Sequence, residues 1–106
     1  MIMAQLTVDA GICGFTTTIQ TASADMQIVQ ISFESECPHV NKAKEELTSV
    51  DAFQELFKKP HETTVYQVLS KYQPHVTCPL YSGFLKGIEV AAGMALPKDA
   101  SISIEN

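Results

Sequence analysis

The sequence predicts an α+β fold, in which an antiparallel sheet carries three to four helices packed on one face. The sheet is predicted to be a three-stranded meander with a short C-terminal strand added to it. Apolar residues alternate in the first third of the chain, change to helical spacing after Pro38, and alternate again at Ile102 and Ile104. A chain of 106 residues has the size of one domain, so we expect a single unit over residues 1–106.

The first three strands are separated by turn-forming residues. Two glycines in the segment GICG, Gly11–Gly14, can take positive φ in a tight connection between the first two strands. The segment SAD, Ser23–Asp25, is typical of a turn before the third strand. The period of two places one residue in every pair on the buried face. The residues expected on that face are Leu6, Val8, Ala10, Phe15, Thr17, Ile19, Thr21, Val29, Ile31 and Phe33.

Helical signals follow the third strand. Pro38 is suited to the first position of a helix that extends to Leu47. Asp51 is the predicted N-cap of a short helix through Phe57, and Thr64 with Gln67 forms a capping-box pattern for a third helix. The inward residues expected in the first and third helices are Val40, Ala43, Lys44, Leu47, Val65, Val68, Leu69 and Tyr72.

The fourth predicted helix is the longest. Pro79 begins it and Pro97 forbids its continuation, because proline lacks the N–H that a helix interior needs. Gly83 and Gly87 lie one turn apart and leave a smooth strip, which we expect to pack tightly on the sheet. The inward residues are Leu80, Phe84, Leu85, Ile88, Ala91, Ala92 and Ala95.

Charge and composition narrow the classes of partner. The net charge is −5, and the seven basic residues are all lysines scattered along the chain. Nucleic-acid binding normally requires a basic patch that neutralises phosphates, so we expect no nucleic-acid partner. No apolar run reaches the roughly 20 residues of a membrane span, and no export signal is recognisable. We therefore expect no membrane association and a cytoplasmic location.

Three cysteines are the candidate functional residues. Cys37 and Cys78 each precede a proline at the start of a predicted helix, where free N–H groups and the helix dipole favour a thiolate. In an up–down–up meander, the loop that holds Cys13 lies at the same end of the sheet as the end of the third strand. Cys13 and Cys37 should therefore be neighbours. Cys78 joins them if the last helix begins at that end.

Three thiolates at one end of the sheet would suit zinc or an iron–sulfur cluster. His75, close before Cys78, is the favoured fourth ligand, while His39 and solvent are alternatives. The spacings match no compact zinc or ferredoxin motif, and each cysteine taken singly could be a small buried residue. His75 could equally be a turn residue.

The segment VTCPLYSGFLKGIEVA resembles the signature of the Thr-Ser-Cys-Pro-Asp (TSCPD) domain, which occurs alone and as a tail of some ribonucleotide reductases. That resemblance implies metal binding through several cysteines, with the signature at the head of a late helix. Here Leu80 replaces the aspartate, and Gln73 to His75 stand where that domain carries an earlier cysteine. The whole chain is also similar to small uncharacterised proteins of anaerobic bacteria and archaea, on the segments AGICGF and CP…IEVAAG…LP.

The function expected from these observations is a cysteine-ligated metal or iron–sulfur binding module rather than a stand-alone enzyme. No nucleotide-binding or serine-hydrolase motif is present. Two alternatives stay open. The first is an interaction domain with buried cysteines, in which a sheet edge or the glycine strip forms a homo-oligomer or binds a protein partner. The second is a redox or catalytic protein that uses Cys37 or Cys78 as a low-pKa thiolate.

Overall fold

The computed structural model describes residues 1–106 and has one antiparallel sheet with four short or medium helices. The strands follow one another in the order β1-β2-β3-β4, and each pairs antiparallel with its neighbours. None of the helices is long and apolar enough to cross a membrane. The elements are β1 (Ile2–Asp9), β2 (Thr16–Ser23), β3 (Ile28–Ser35), α1 (Pro38–Asn41), β4 (Ser49–Asp51), α2 (Ala52–Glu55), α3 (Thr64–Leu69) and α4 (Leu80–Ala91).

The strands of the meander show the predicted alternation of residues between the two faces of the sheet. Ile19 on β2 and Val29, Ile31 and Phe33 on β3 are buried, while the residues between them on the two strands face the other side of the sheet. Helix α4 crosses the buried face, and the ring of Phe84 meets that of Phe33 edge to face with centroids 5.0 Å apart. The α+β class predicted from the sequence is therefore correct.

The two glycines of α4 lie against the sheet, as expected. A Cβ placed on Gly83 would come within 2.7 Å of a methyl carbon of Val8, and one on Gly87 within 2.7 Å of a methyl carbon of Leu6. The missing side chains therefore let the helix approach β1 closely. The backbone carbonyl of Gly87 also accepts a buried hydrogen bond from the hydroxyl of Thr21, at 2.8 Å.

The fourth strand is not the one predicted. Ser49–Asp51 pairs with Ile28–Gln30 of β3 and occupies that edge of the sheet. Ile102 and Ile104 have no regular secondary structure and are more than four-fifths exposed. This segment has one buried apolar residue, Val50, between two polar ones, which is too short an alternation to be recognised as a strand.

All four helices are shorter than predicted: α2 ends at Glu55 instead of Phe57 and α3 at Leu69 instead of reaching Tyr72, while the first and last helices differ most. The first ends at Asn41 instead of continuing to Leu47, because the following backbone bonds run mostly from residue i to i−3 and tighten the chain into turns. Val40, Ala43 and Leu47 are nevertheless buried. The last ends at Ala91, well before Pro97, because Gly93 takes a positive φ of 74° and stops it.

The predicted N-cap of α2 is confirmed, and the predicted N-cap of α3 is wrong by one residue. Asp51 accepts hydrogen bonds from the backbone N–H groups of Phe53 and Gln54, as predicted. The cap of α3 is Thr63 instead of Thr64, and it accepts a bond from the N–H of Tyr66. The buried carboxylate of Glu55 takes the N–H groups of Thr64 and Val65, so Thr64 has no capping role.

Candidate thiol site

Cys37 is held at the end of β3 by a group of short-range hydrogen bonds. Its backbone N–H donates to the hydroxyl of Ser35 at 3.0 Å, and that hydroxyl also lies 2.6 Å from the hydroxyl of Thr17 on β2. The Asn41 side chain binds both backbone groups of Ser35. Cys37 is the N-cap residue of α1, as predicted, but its side chain makes no cap bond and the helix has only four residues.

Cys78 precedes α4 by one residue more than predicted. Pro79 is the N-cap instead of the first helical residue, so Cys78 lies just outside the helix. The N–H of Leu80, the first residue of α4, donates to the thiol. The N–H of Cys78 binds the carbonyl of His75 at 3.2 Å, which closes a turn over residues 75–78.

The side-chain amide of Gln73 joins these two cysteines. Its Nε2 atom lies 3.5 Å from Sγ of Cys78 and 4.0 Å from Sγ of Cys37, both within the range of hydrogen bonds to sulfur. Its Oε1 accepts the backbone N–H of His75 at 3.1 Å. Because the oxygen is used by an N–H donor, the NH₂ group is the part of the amide that faces the sulfurs. Gln73 is only 7% exposed, so these are its available partners.

Cys13 lies at the same end of the sheet, as predicted. The loop that carries it turns through positive φ at Gly11 and Gly14. Glu36 ties the end of β3 to the start of β2, since its N–H and carboxylate bind the carbonyl and N–H of Thr16. The Cys13 side chain is exposed, whereas Cys37 is buried and Cys78 is intermediate.

The pKa of Cys78 is raised, and the main cause is burial of its thiol. The N–H of Leu80 and the amide of Gln73 oppose that shift, because both donate to the thiolate. Negative charge on Cys37 or Cys13 would raise the pKa of Cys78 further. No cationic side chain acts on Cys78, so the low-pKa thiolate considered from the sequence is wrong for this residue.

The predicted four-ligand set is not assembled as one cluster. No group of three or more His, Cys, Asp and Glu side chains is arranged to hold a metal ion. Cys37 and Cys78 meet at Gln73, while Cys13 lies on an exposed loop. His75 is exposed and reaches the site through its backbone, which makes it the turn residue that the sequence allowed.

Gln73 is the site residue that sequence reasoning missed. Its polar side chain between Tyr72 and Pro74 gives no sign of burial, and amides are common at such positions. No pattern in the sequence identifies it, because only the packing of the chain brings this amide between the two thiols.

Comparison with known proteins gives a family without an assigned role. No curated protein and no solved structure matches the chain. Residues 4–104, nearly the whole chain, match the sequence model of a family that is described as a family of unknown function, DUF6951. The chain therefore belongs to the DUF6951 family of unknown function.

Proposed function

We propose that the protein is a thiol-based metal-binding module in which Cys37 and Cys78 supply the first two ligands. The observation that carries this proposal is the amide of Gln73, whose nitrogen lies within 4.0 Å of both sulfurs. Forty residues separate these cysteines in the chain, and the fold nevertheless brings them to one buried donor. Outer-shell groups that form hydrogen bonds with metal ligands orient those ligands, and this amide is placed to do so for both sulfurs.

The electrostatics of the site support a cationic ligand. Two N–H groups, from Gln73 and Leu80, are placed to donate to sulfur, yet burial keeps the Cys78 thiol protonated. What the site lacks is positive charge, since no lysine acts on Cys78 and the chain has no arginine. A thiophilic metal ion would supply that charge and displace the protons.

Zinc is the ion that we propose first. It accepts thiolate and imidazole ligands in tetrahedral sites, and Cys13 and His75 belong to segments at this end of the sheet. These two residues are proposed to complete the coordination by movement of the Ala10–Phe15 loop and the residue 75–78 turn. An iron–sulfur cluster bound by the three cysteines and His75 is the second choice. The resemblance of the Cys78–Pro79 segment to the TSCPD domain also favours a metal-binding role.

Proton balance gives this proposal a definite pH dependence. Binding of Zn²⁺ by two thiols forms two Zn–S bonds and releases two protons. Because the pKa of Cys78 is raised, the proton of this thiol has to be displaced throughout the neutral range. The apparent zinc affinity should therefore increase as the pH rises from 6 to 8.

The decisive experiment is purification without oxygen, followed by elemental analysis, an absorption spectrum and titration with Co²⁺ as a spectroscopic substitute for zinc. Thiolate-to-metal charge-transfer bands are expected in the wild type, and they should be lost in Cys37→Ala and Cys78→Ser. Cys13→Ser should retain weaker binding. Circular dichroism of each variant separates loss of ligand from loss of fold. Fully reduced, folded protein that binds neither Zn²⁺ nor Co²⁺ at micromolar concentration would overturn the proposal.

The redox and catalytic alternative has less support. A nucleophilic thiol needs a lowered pKa or an adjacent base, and the pKa of Cys78 is raised. Neither His39 nor His75 forms a side-chain hydrogen bond with a thiol; both use their backbone groups instead. The same purification tests this alternative, because a metal-free protein with a rapidly alkylated Cys37 or Cys78 would favour it.

A further inference from the structure

The outer edge of β1 is an eight-residue strand with no partner. Strand β1 pairs only with β2, and the ladder is continuous from Ile2–Ser23 to Asp9–Thr16. Natural sheets protect such edges with lysine, proline, bulges or inward-pointing charges. The sequence of β1, IMAQLTVD, has none of these and carries its one charge at the last residue. The other edge is formed by β4, which has only three residues.

The hydrogen-bond pattern shows which groups of β1 are free. The N–H of Ala10 donates to the carbonyl of Phe15 at 3.1 Å, so the even-numbered residues direct their backbone groups toward β2. The backbone groups of the odd-numbered residues therefore point outward along the edge. They are Met3, Gln5, Thr7 and Asp9. A second strand could bind all four residues without disturbing the β1–β2 ladder.

The inward side chains of β1 are also incompletely covered. Leu6 and Val8 are half-buried beneath α4, whereas Ile19, Val29 and Phe33 on the next strands are buried. The reason is that the layer of helices ends above β1. An added strand with its own helix would finish the burial of this side of the core.

We infer that β1 binds a second copy of this chain in antiparallel fashion, which makes one eight-stranded sheet about a two-fold axis. The register that uses all four outward residues pairs Met3 with Asp9 and Gln5 with Thr7 of the other copy. It places Leu6 next to its symmetry mate and puts no like charges opposite each other. An isologous interface of this kind is closed, so assembly stops at the dimer.

The position of α4 favours a second copy over an unrelated strand. Helix α4 packs on both β1 and β2, so its axis lies about half a strand spacing inside the edge. At about 4.8 Å between strands, the two α4 helices of the dimer would lie roughly 10 Å apart across the axis. That separation is close to the distance at which two helices pack against each other. The second copy thus supplies both the missing strand and the missing helix.

Sedimentation over a range of protein concentrations tests the inference. The wild type should sediment as a dimer. Gln5→Pro removes one outward N–H from each copy without removing a β1–β2 bond, and it should raise the dimer dissociation constant at least about tenfold. Gln5→Ala is the matched control, because it keeps the N–H.

Charge variants test the register and avoid proline. Gln5→Lys with Thr7→Lys places lysines opposite each other and should dissociate the dimer, whereas Gln5→Glu with Thr7→Lys should restore it. Gln30→Lys with Gln54→Lys adds the same charge elsewhere as a control. A wild type that stays monomeric at every concentration overturns the inference. So does a dimer that is insensitive to the edge variants, or one that is lost when residues 98–106 are removed.

Discussion

Glu55 and Gln73 are both polar side chains in the interior, yet their partners differ in kind. Glu55 is 2% exposed, and its two oxygens accept the N–H groups of Thr64 and Val65, each at 2.8 Å. Gln73 is 7% exposed, and its nitrogen faces the sulfurs of Cys37 and Cys78. One side chain is surrounded by backbone donors, and the other lies between two thiols.

This difference separates a structural residue from a candidate functional one. The first N–H groups of a helix have no partner within it, so the carboxylate of Glu55 is fully explained by the start of α3. A neutral thiol is only a weak acceptor for the NH₂ group of Gln73. A hydrogen bond to a charged group is about twice as strong as a neutral one, so the amide suits a site where the sulfurs become thiolates.

Replacement of Glu55 should have the largest effect and should act on stability alone. Glu55→Ala leaves the N–H groups of Thr64 and Val65 without their acceptor, so we expect the free energy of unfolding to fall by about 3 kcal/mol. Glu55→Gln keeps one acceptor oxygen and should cost roughly half as much. Urea denaturation followed by circular dichroism measures both. A loss below about 1 kcal/mol for the alanine variant would contradict the structural role.

Replacement of Gln73 should change zinc affinity and leave the stability of the metal-free protein nearly unchanged. Gln73→Leu keeps much of the volume and removes the donors to both sulfurs, so we expect the zinc affinity of the proposed site to fall about 10- to 100-fold. The free energy of unfolding of the metal-free protein should change by less than about 1 kcal/mol. Titration against a competing chelator measures the affinity. Gln67→Leu, on the exposed side of α3, is the matched control.

An unchanged zinc affinity in Gln73→Leu would mean that Gln73 has no role in metal binding. Gln73 would then be a structural residue of the same kind as Glu55, and its Oε1 contact with His75 would be its main contribution. A large loss of stability in the metal-free variant would lead to the same conclusion.

The smallest expected effect is that of the raised Cys78 pKa on the alkylation rate of this thiol and on the stability of the metal-free protein. Because the pKa of this thiol is raised in the folded protein, alkylation by iodoacetamide at neutral pH should be slower than for an unfolded control. At pH values below the ordinary thiol pKa, the same shift stabilises the folded metal-free protein. That stabilisation is lost as the pH rises through the pKa of Cys78 in the folded protein. Mass spectrometry of a Cys13→Ser variant follows the reaction, and alkylation as fast as in the unfolded chain would contradict the shift.

Much of the fold could be predicted, because local patterns specify it. Alternation at Val29, Ile31 and Phe33 identifies both the strand and its buried face, and Asp51 identifies the start of α2. Ile102 and Ile104 show the limit of such patterns. Alternation states that a segment can form a strand, but whether it does depends on an edge that is free to receive it. Ser49–Asp51 takes the edge of β3 instead.

The candidate site was only partly predictable for the same reason. The meander topology correctly placed Cys13 near the end of β3, because antiparallel strands return to the same end of the sheet. The position of Cys78 depended on how α4 lies across the sheet. Gln73 gave no sequence signal of its own, since the burial of an amide is a result of packing.

The sequence by itself determined the α+β class, the meander, the inward faces of its strands and the start of α1 at Pro38. These are local properties, set by side-chain period, by the restricted φ of proline and by the conformational freedom of glycine. Tertiary structure decided which three residues became β4, that two distant cysteines share one amide, and that β1 keeps an open edge. Those outcomes depend on competition among segments for the same surfaces, which no single stretch of sequence encodes.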